Sequence, residues 1–217
     1  MTLAEASPIA DQKRELREAA LARRDLMPPD DRVRAARNIA ASPFPIDVPK
    51  GAIVSGFSPI KTEFNPVPLM RALAKAGARL ALPKVTGRGK PLSLRAWSFG
   101  EPLVSGVWGI REPGPEAPEV APDILLVPFT AFDRAGYRIG YGAGYYDMTL
   151  AALRAKKKIV AVGLGFAVQE TTQVPVEAHD QRLDFILTEA GIVFAAERVS
   201  CAFSSSATLS EGRAAKR

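Results

Sequence analysis

Cysteine and histidine are almost missing from this chain. Its 217 residues hold one of each, Cys201 and His179. A lone cysteine excludes an internal disulfide and fits a reducing compartment. The same scarcity excludes a cysteine-rich or multi-histidine metal centre. No apolar run reaches the roughly 18 residues that suggest a membrane span, and the N-terminus has no apolar core of the kind that directs export. The expected location is therefore the cytoplasm, with no membrane partner. Hydrophobic residues make up 47% and charged residues 24%, as in an ordinary globular domain. One domain is expected over 11–196, with flexible tails at 1–10 and 204–217.

The net charge is +6, which suits an anionic ligand or a nucleic acid. The basic residues are dispersed, however, and aromatics do not interleave with them as in a single-strand binder, so no nucleic-acid partner is expected. The one dense run, Lys156-Lys157-Lys158, reads as the solvated end of a helix, where cations are favoured. A monomer is the expected state.

Helical patterns cover Asp11–Leu26, Asp31–Ala41, Pro66–Ala76 and Tyr145–Leu153. Apolar strand-like runs cover Ala52–Phe57, Arg79–Leu82, Ile124–Val127 and Ile159–Leu164. Shorter strands fit Leu92–Trp97, Val104–Trp108, Phe185–Thr188 and Ile192–Phe194. Gly77 closes the third helix. Strands alternating with helices predict an α/β fold: three layers, a mostly parallel sheet and flanking helices.

The most informative segment is Arg138-Ile139-Gly140-Tyr141-Gly142-Ala143-Gly144-Tyr145-Tyr146-Asp147. It lies between a buried strand and a helix, where α/β folds bind ligands. Glycines let backbone approach an anion, and a helix start offers free N–H groups. The spacing G-x-G-x-G fits neither the dinucleotide fingerprint nor the P-loop. Arg138 can hold a phosphate, and Asp147 is a hard oxygen ligand suited to Mg²⁺. Asp147 reads equally as a first-turn helix carboxylate, and one of the two tyrosines reads as core.

Three further segments stand out. Lys13 and Arg17 share a face of the first helix, with Arg14 and Arg24 adding charge nearby; a solvated basic face is the plain reading. The edge loop Pro175–Asp184 carries His179 and two candidate metal carboxylates, Asp180 and Asp184. Phe57-Ser58-Pro59-Ile60-Lys61-Thr62-Glu63 follows the first strand, and Glu63 suits an amine-bearing ligand or a helix cap.

Taken together, these residues resemble the 5-formyltetrahydrofolate cyclo-ligase family, also called methenyltetrahydrofolate synthetase. The resemblance rests on Lys13 and Arg17, on Glu63, on Gly109-Ile110-Arg111-Glu112-Pro113, and on Val127-Pro128. It continues through Phe132-Asp133 with Gly136 and the run Arg138–Asp147 to Gln169, Val174-Pro175, His179-Asp180 and Asp184. The order holds from about residue 11 to 194. Tyr141, Ala143 and Met148 stand where many members carry a basic residue.

The resemblance implies a fold similar to ribose-5-phosphate isomerase, and ATP-dependent cyclisation of 5-formyltetrahydrofolate to 5,10-methenyltetrahydrofolate. It implies Mg²⁺ as cofactor and ATP as co-substrate. Lys13, Arg17, Arg138, Ile139, Gly140, Tyr141, Gly142, Ala143, Gly144, Tyr145 and Tyr146 would bind ATP. Phe57, Ser58, Glu63, Trp108 and Tyr145 would face the folate. Asp147 and Asp180 would hold the metal, and Arg138, Tyr145 and Asp147 would act in catalysis. The rival readings are a phosphosugar isomerase or deaminase, and a non-catalytic nucleotide- or RNA-binding relative.

Overall fold

The computed structural model describes residues 8–195, so Cys201 and the tail expected at 204–217 lie outside the described residues. Four helices form: α1 (Pro8–Asp25), α2 (Pro29–Ala41), α3 (Val67–Lys75) and α4 (Tyr145–Arg154). Proline opens α2, which starts at Pro29, and α1 is already helical at Pro8, three residues ahead of the expected Asp11. Proline suits a first helical position because its missing N–H has no acceptor there. Asp30 and Asp31 then sit in the first turn of α2, where the helix dipole favours them. Gly77, at φ 102°, ends α3 as its backbone freedom allows.

The main sheet has seven strands in the order β11-β10-β9-β6-β1-β2-β3. Its parallel centre is β1 (Ile53–Ser55), β2 (Arg79–Lys84), β6 (Ile124–Pro128), β9 (Val160–Leu164) and β10 (Phe185–Thr188). Two antiparallel edges close it, β3 (Ser93–Ala96) against β2 and β11 (Gly191–Ala195) against β10. Mixed α/β layering with a mostly parallel sheet and flanking helices is thus as expected.

Strand periodicity of two decides the layers. Ile124 and Leu126 of β6, Val160 and Val162 of β9, and Phe185 and Leu187 of β10 face α2 and α3. Leu125, Val127, Ala161 and Ile186 turn the other way, towards Leu150 of α4. Each fully buried leucine or isoleucine contributes about 1.5–3 kcal/mol. Helix α1 stands apart: Ala20 packs on Ala131, Ile139 and Val174, away from both main cores.

Three short strands escaped the sequence. They are β5 (Arg111–Pro113), which pairs with β4 (Leu103–Ser105), and the β7 (Ala131–Phe132)–β8 (Arg138–Ile139) hairpin. Segments of two or three residues carry no readable period. The strand expected to reach Trp108 stops at Ser105. Val107–Gly109 makes a single tight turn instead, with Trp108 at φ 57°. The triple lysine falls in the turn after α4, as expected, and Lys157 bonds Asp123 at 2.6 Å.

Candidate active site

The β7–β8 hairpin carries the chain from β6 to the glycine loop. This revises the place of its first two residues. Arg138 and Ile139 are strand residues, 7% and 3% exposed. Ile139 is a core residue whose carbonyl accepts from Thr130 N at 2.7 Å and Thr130 Oγ1 at 2.9 Å. It offers a bound nucleotide no side chain. Arg138 points inward, and its Nη1 donates to Asp147 Oδ1 and to Gln181 O, each at 3.0 Å. Removing one partner of such a buried pair costs about 3–5 kcal/mol. Arg138 therefore fastens the loop's two ends together, rather than standing open to a phosphate.

The loop proper is Gly140–Gly144, and Tyr141 to Gly144 are exposed. Gly142 at φ 99° and Gly144 at φ 69° need glycine for their backbone shape. Gly140 does not: its φ is ordinary, and a Cβ there would meet nothing within 4 Å. A glycine without a steric reason in the free protein leaves room for a guest. Gly144 caps α4 without a side-chain partner, so the first N–H groups of that helix stay available.

Above the loop lies α1. Arg17 donates through Nε to Gly140 O at 2.7 Å, and its Nη2 stands 3.3 Å from where a Cβ of Gly142 would be. Burial lowers the Arg17 pKa. Lys13, one turn earlier, reaches the edge loop and contacts Glu177 Oε2 at 2.9 Å and Asp180 Oδ2 at 2.5 Å. Burial alone would pull its pKa down; the hydrogen bonds to Asp180 and Glu177 outweigh this and hold it above the ordinary value.

The two metal candidates each accept from a backbone N–H of the 177–181 turn. Asp147 Oδ1 accepts from Gln181 N at 2.9 Å, while Asp180 Oδ2 accepts from Glu177 N at 2.7 Å. Among the described residues no cluster of three metal-type ligands forms. Asp184 ties β9 to α4: its Oδ2 accepts from Ala161 N at 2.7 Å and Arg154 Nη2 at 3.2 Å. His179 is exposed, with Nε2 3.7 Å from Asp180 Oδ1.

The residues expected to face a folate divide. Phe57, 3% exposed, belongs to the α2/α3 core and is corrected to a packing residue. Ser58 Oγ donates to Arg111 O at 2.5 Å and ties down the β4–β5 hairpin. Trp108, at the hairpin's tip, is 71% exposed, with its ring 6.1 Å from that of Tyr145. Left-handed backbone at a bulky residue costs about 1–3 kcal/mol and collects at ligand clamps. Tyr146 packs against the α4-side core, and burial raises its pKa. Of the tyrosine pair, Tyr146 is the packing residue. Glu63 accepts from Ile60 N at 2.9 Å. Burial pushes its pKa up to about 7, against the lowering effects of that hydrogen bond and of Arg24.

Arg24 is the residue that sequence reasoning misplaced. Expected on a solvated face, it is 1% exposed. Its Nε donates to Thr62 Oγ1 at 3.1 Å and its Nη2 to Tyr141 Oη at 2.8 Å. A readable signal existed: Lys13, Arg17, Ala20 and Arg24 recur at i, i+4, i+7 and i+11, one stripe of a helix.

These elements define an α/β protein with a glycine loop beyond the carboxyl end of β6, the middle strand of a mostly parallel sheet, and with Lys13 and Arg17 of α1 above that loop. The profile of the 5-formyltetrahydrofolate cyclo-ligase family matches residues 9–189. The chain belongs to that family. It is 36% identical to the 5-formyltetrahydrofolate cyclo-ligase of Mycolicibacterium smegmatis over 152 residues, 66% of this chain and 77% of that protein. It is 32% identical to the Escherichia coli K12 protein of the same name over 145 residues, 64% of this chain and 79% of that one. Its fold is similar to the NMR structure of Aquifex aeolicus 5,10-methenyltetrahydrofolate synthetase. There the TM-score is 0.68 at 29% identity, covering 94% of this chain and 96% of that one.

Proposed function

We propose that the protein is an ATP-dependent 5-formyltetrahydrofolate cyclo-ligase, and that its reaction takes place where the glycine loop, α1 and the 177–181 turn converge. One observation carries the reading in this family member: Lys13 and Arg17 stand on one helix face above an exposed glycine loop that is open to solvent at Gly140.

The chemistry asks for positioning and charge neutralisation. A formamide oxygen is a poor leaving group. Its attack on the γ-phosphorus transfers the phosphoryl group and releases ADP. The product is an iminium-like phosphate ester. N10 then attacks the formyl carbon and gives up its proton, and the C–O bond breaks so that phosphate leaves carrying that proton and the methenyl bridge remains. Arg17 supplies the cation over the loop, since its Nη groups lie beside Gly142. Lys13 supplies a second when it exchanges Asp180 for a phosphate. Arg138 acts at one remove by holding Asp147 in place. Glu63 receives the pterin's amine and ring N–H groups, and Trp108 with Tyr145 forms the apolar wall.

Asp147 and Asp180 fit a magnesium ion that arrives with ATP. Each commits one oxygen to a backbone N–H and a cation and keeps the other. Two carboxylates plus phosphates is the donor set Mg²⁺ favours. When bound, the ion neutralises phosphate charge. The likeness of this sheet to ribose-5-phosphate isomerase-like folds belongs to the same reading, as does a single catalytic domain over 11–196.

The test is direct. Purified protein with MgATP and 5-formyltetrahydrofolate should accumulate the methenyl product, followed by its near-ultraviolet absorbance, with one ADP per turnover. Folded protein that makes no product overturns the assignment. Thermal protection by a phosphosugar without protection by ATP would point to the isomerase reading.

A further inference from the structure

The clearest anomaly in the molecule is Arg24. A guanidinium has five N–H donors, yet this one, 1% exposed, makes two hydrogen bonds, both to neutral hydroxyls. Its Nη1 has no partner among the described residues. A buried cation so poorly matched adds nothing to stability, since an apolar side chain of equal size would serve as well or better.

Its two partners lie on different loops. Thr62 belongs to the loop between β1 and α3, and Tyr141 to the glycine loop, whose ring also lies under the Arg24 guanidinium at 5.8 Å. Thr62 is flanked by the two notable residues of its loop. Lys61 is held at φ 51°, a conformation non-glycine residues avoid. Glu63 folds back onto Ile60 N. Thr62 also donates to Asp25 at the end of α1. A strained loop of this kind keeps its shape only when its neighbours hold it, and here the neighbours are Arg24 and Asp25.

We propose that Arg24 is a positioning residue: by clamping Thr62 to Tyr141, it fixes the distance between the folate carboxylate Glu63 and the glycine loop. The stripe on α1 then acts as one strut. Lys13 fastens the 177–181 turn, Arg17 the glycine loop and Arg24 the Glu63 loop. The inference rests on the function proposed above. It adds a residue that touches neither substrate and governs how they meet. Glu63 is faced by Arg24 from α1, Tyr141 from the glycine loop and Tyr146 from α4. Of these, Arg24 is the one cation.

The test uses Arg24→Met, Arg24→Lys and Thr62→Val in the full chain. Arg24→Met should raise KM for the folate about tenfold or more while KM for ATP changes less than about threefold. The inflection in kcat/KM for the folate, set by Glu63, should move upward from about 7. Arg24→Lys should restore the inflection without restoring KM, because it returns the charge and not the two-point clamp. Thr62→Val breaks the clamp at its other end and should raise the folate KM alone, even if Arg24→Met fails to fold. Folded Arg24→Met with a folate KM within about twofold of wild type and an unmoved inflection overturns the proposal. Hydrogen–deuterium exchange separates this from failure of the functional reading. Should wild type make no product, faster exchange at 58–63 and 140–144 in Arg24→Met still supports the clamp, and unchanged exchange refutes it.

Discussion

Helices α3 and α1 bury opposite kinds of face. In α3 the buried residues are Leu69, Met70 and Leu73, pressed onto the sheet with Val54, Leu80 and Phe64. In α1 the inward stripe is Lys13, Arg17, Ala20 and Arg24, and it meets loops and the small β7–β8 hairpin rather than the main sheet. An apolar face gains from being removed from water. A cationic face loses by it and must recover the loss through hydrogen bonds or a ligand. So α3 is explained by apolar burial alone, whereas α1 recovers its loss through bonds to Glu177, Asp180, Gly140 O, Thr62 and Tyr141, and Arg24 Nη1 is left without a partner among the described residues.

Substitutions can break this contrast in order of size. Arg138→Met should produce the largest effect, about 3–5 kcal/mol of stability in denaturant titration, because Asp147 loses its buried partner. Activity should fall with it. Arg17→Ala should lower kcat/KM for ATP by about 10²–10³ with little change in unfolding midpoint. Leu73→Ala in α3 should do the reverse, losing about 2–5 kcal/mol of stability with KM values kept. An Arg17→Ala protein that binds ATP normally would erase the distinction between the two helices.

Smaller effects sharpen it. Glu63 must be ionised to receive N–H groups, and its pKa is near 7. Folate kcat/KM should therefore rise about tenfold from pH 6 to pH 8, and Glu63→Gln should flatten the profile. Folding responds with the other sign. A carboxyl raised from 4.5 to about 7 on folding binds its proton more tightly in the native state, so stability falls as pH climbs through that window. Smallest is Gly142→Ala, about 1 kcal/mol for a Cβ at φ 99° plus displacement of the Arg17 guanidinium. Its signature is a raised KM for ATP; an unaltered one would place the nucleotide elsewhere.

The elements that sequence periodicity revealed are those whose partners hardly matter. In β9 and β10 every residue is buried, and in β6 all but Pro128, so a plain apolar run suffices to mark them. The glycine loop was legible because Gly142 and Gly144 need left-handed backbone whatever surrounds them. Its neighbours were less so. Ile139 looked like a loop residue because it adjoins one, yet it packs in a core, and only the packing singles out Tyr146 as the core member of the tyrosine pair. Phe57 and Trp108 are both aromatic, and nothing local tells the buried one from the exposed one.

Composition and local pattern determined the class of this protein: an α/β chain without the ligands for a cysteine or histidine metal centre, carrying an anion-type loop between strand and helix. Tertiary structure decided which charges are free to act. Arg138 and Asp147 are nine residues apart and neutralise each other. Lys13 meets Asp180 across 167 positions. Arg24, on a helix that reads as solvated, is sealed between two loops. Helical and strand periods are set by neighbours along the chain, whereas a charge's role depends on its distance to other charges and to water, and folding alone sets those distances.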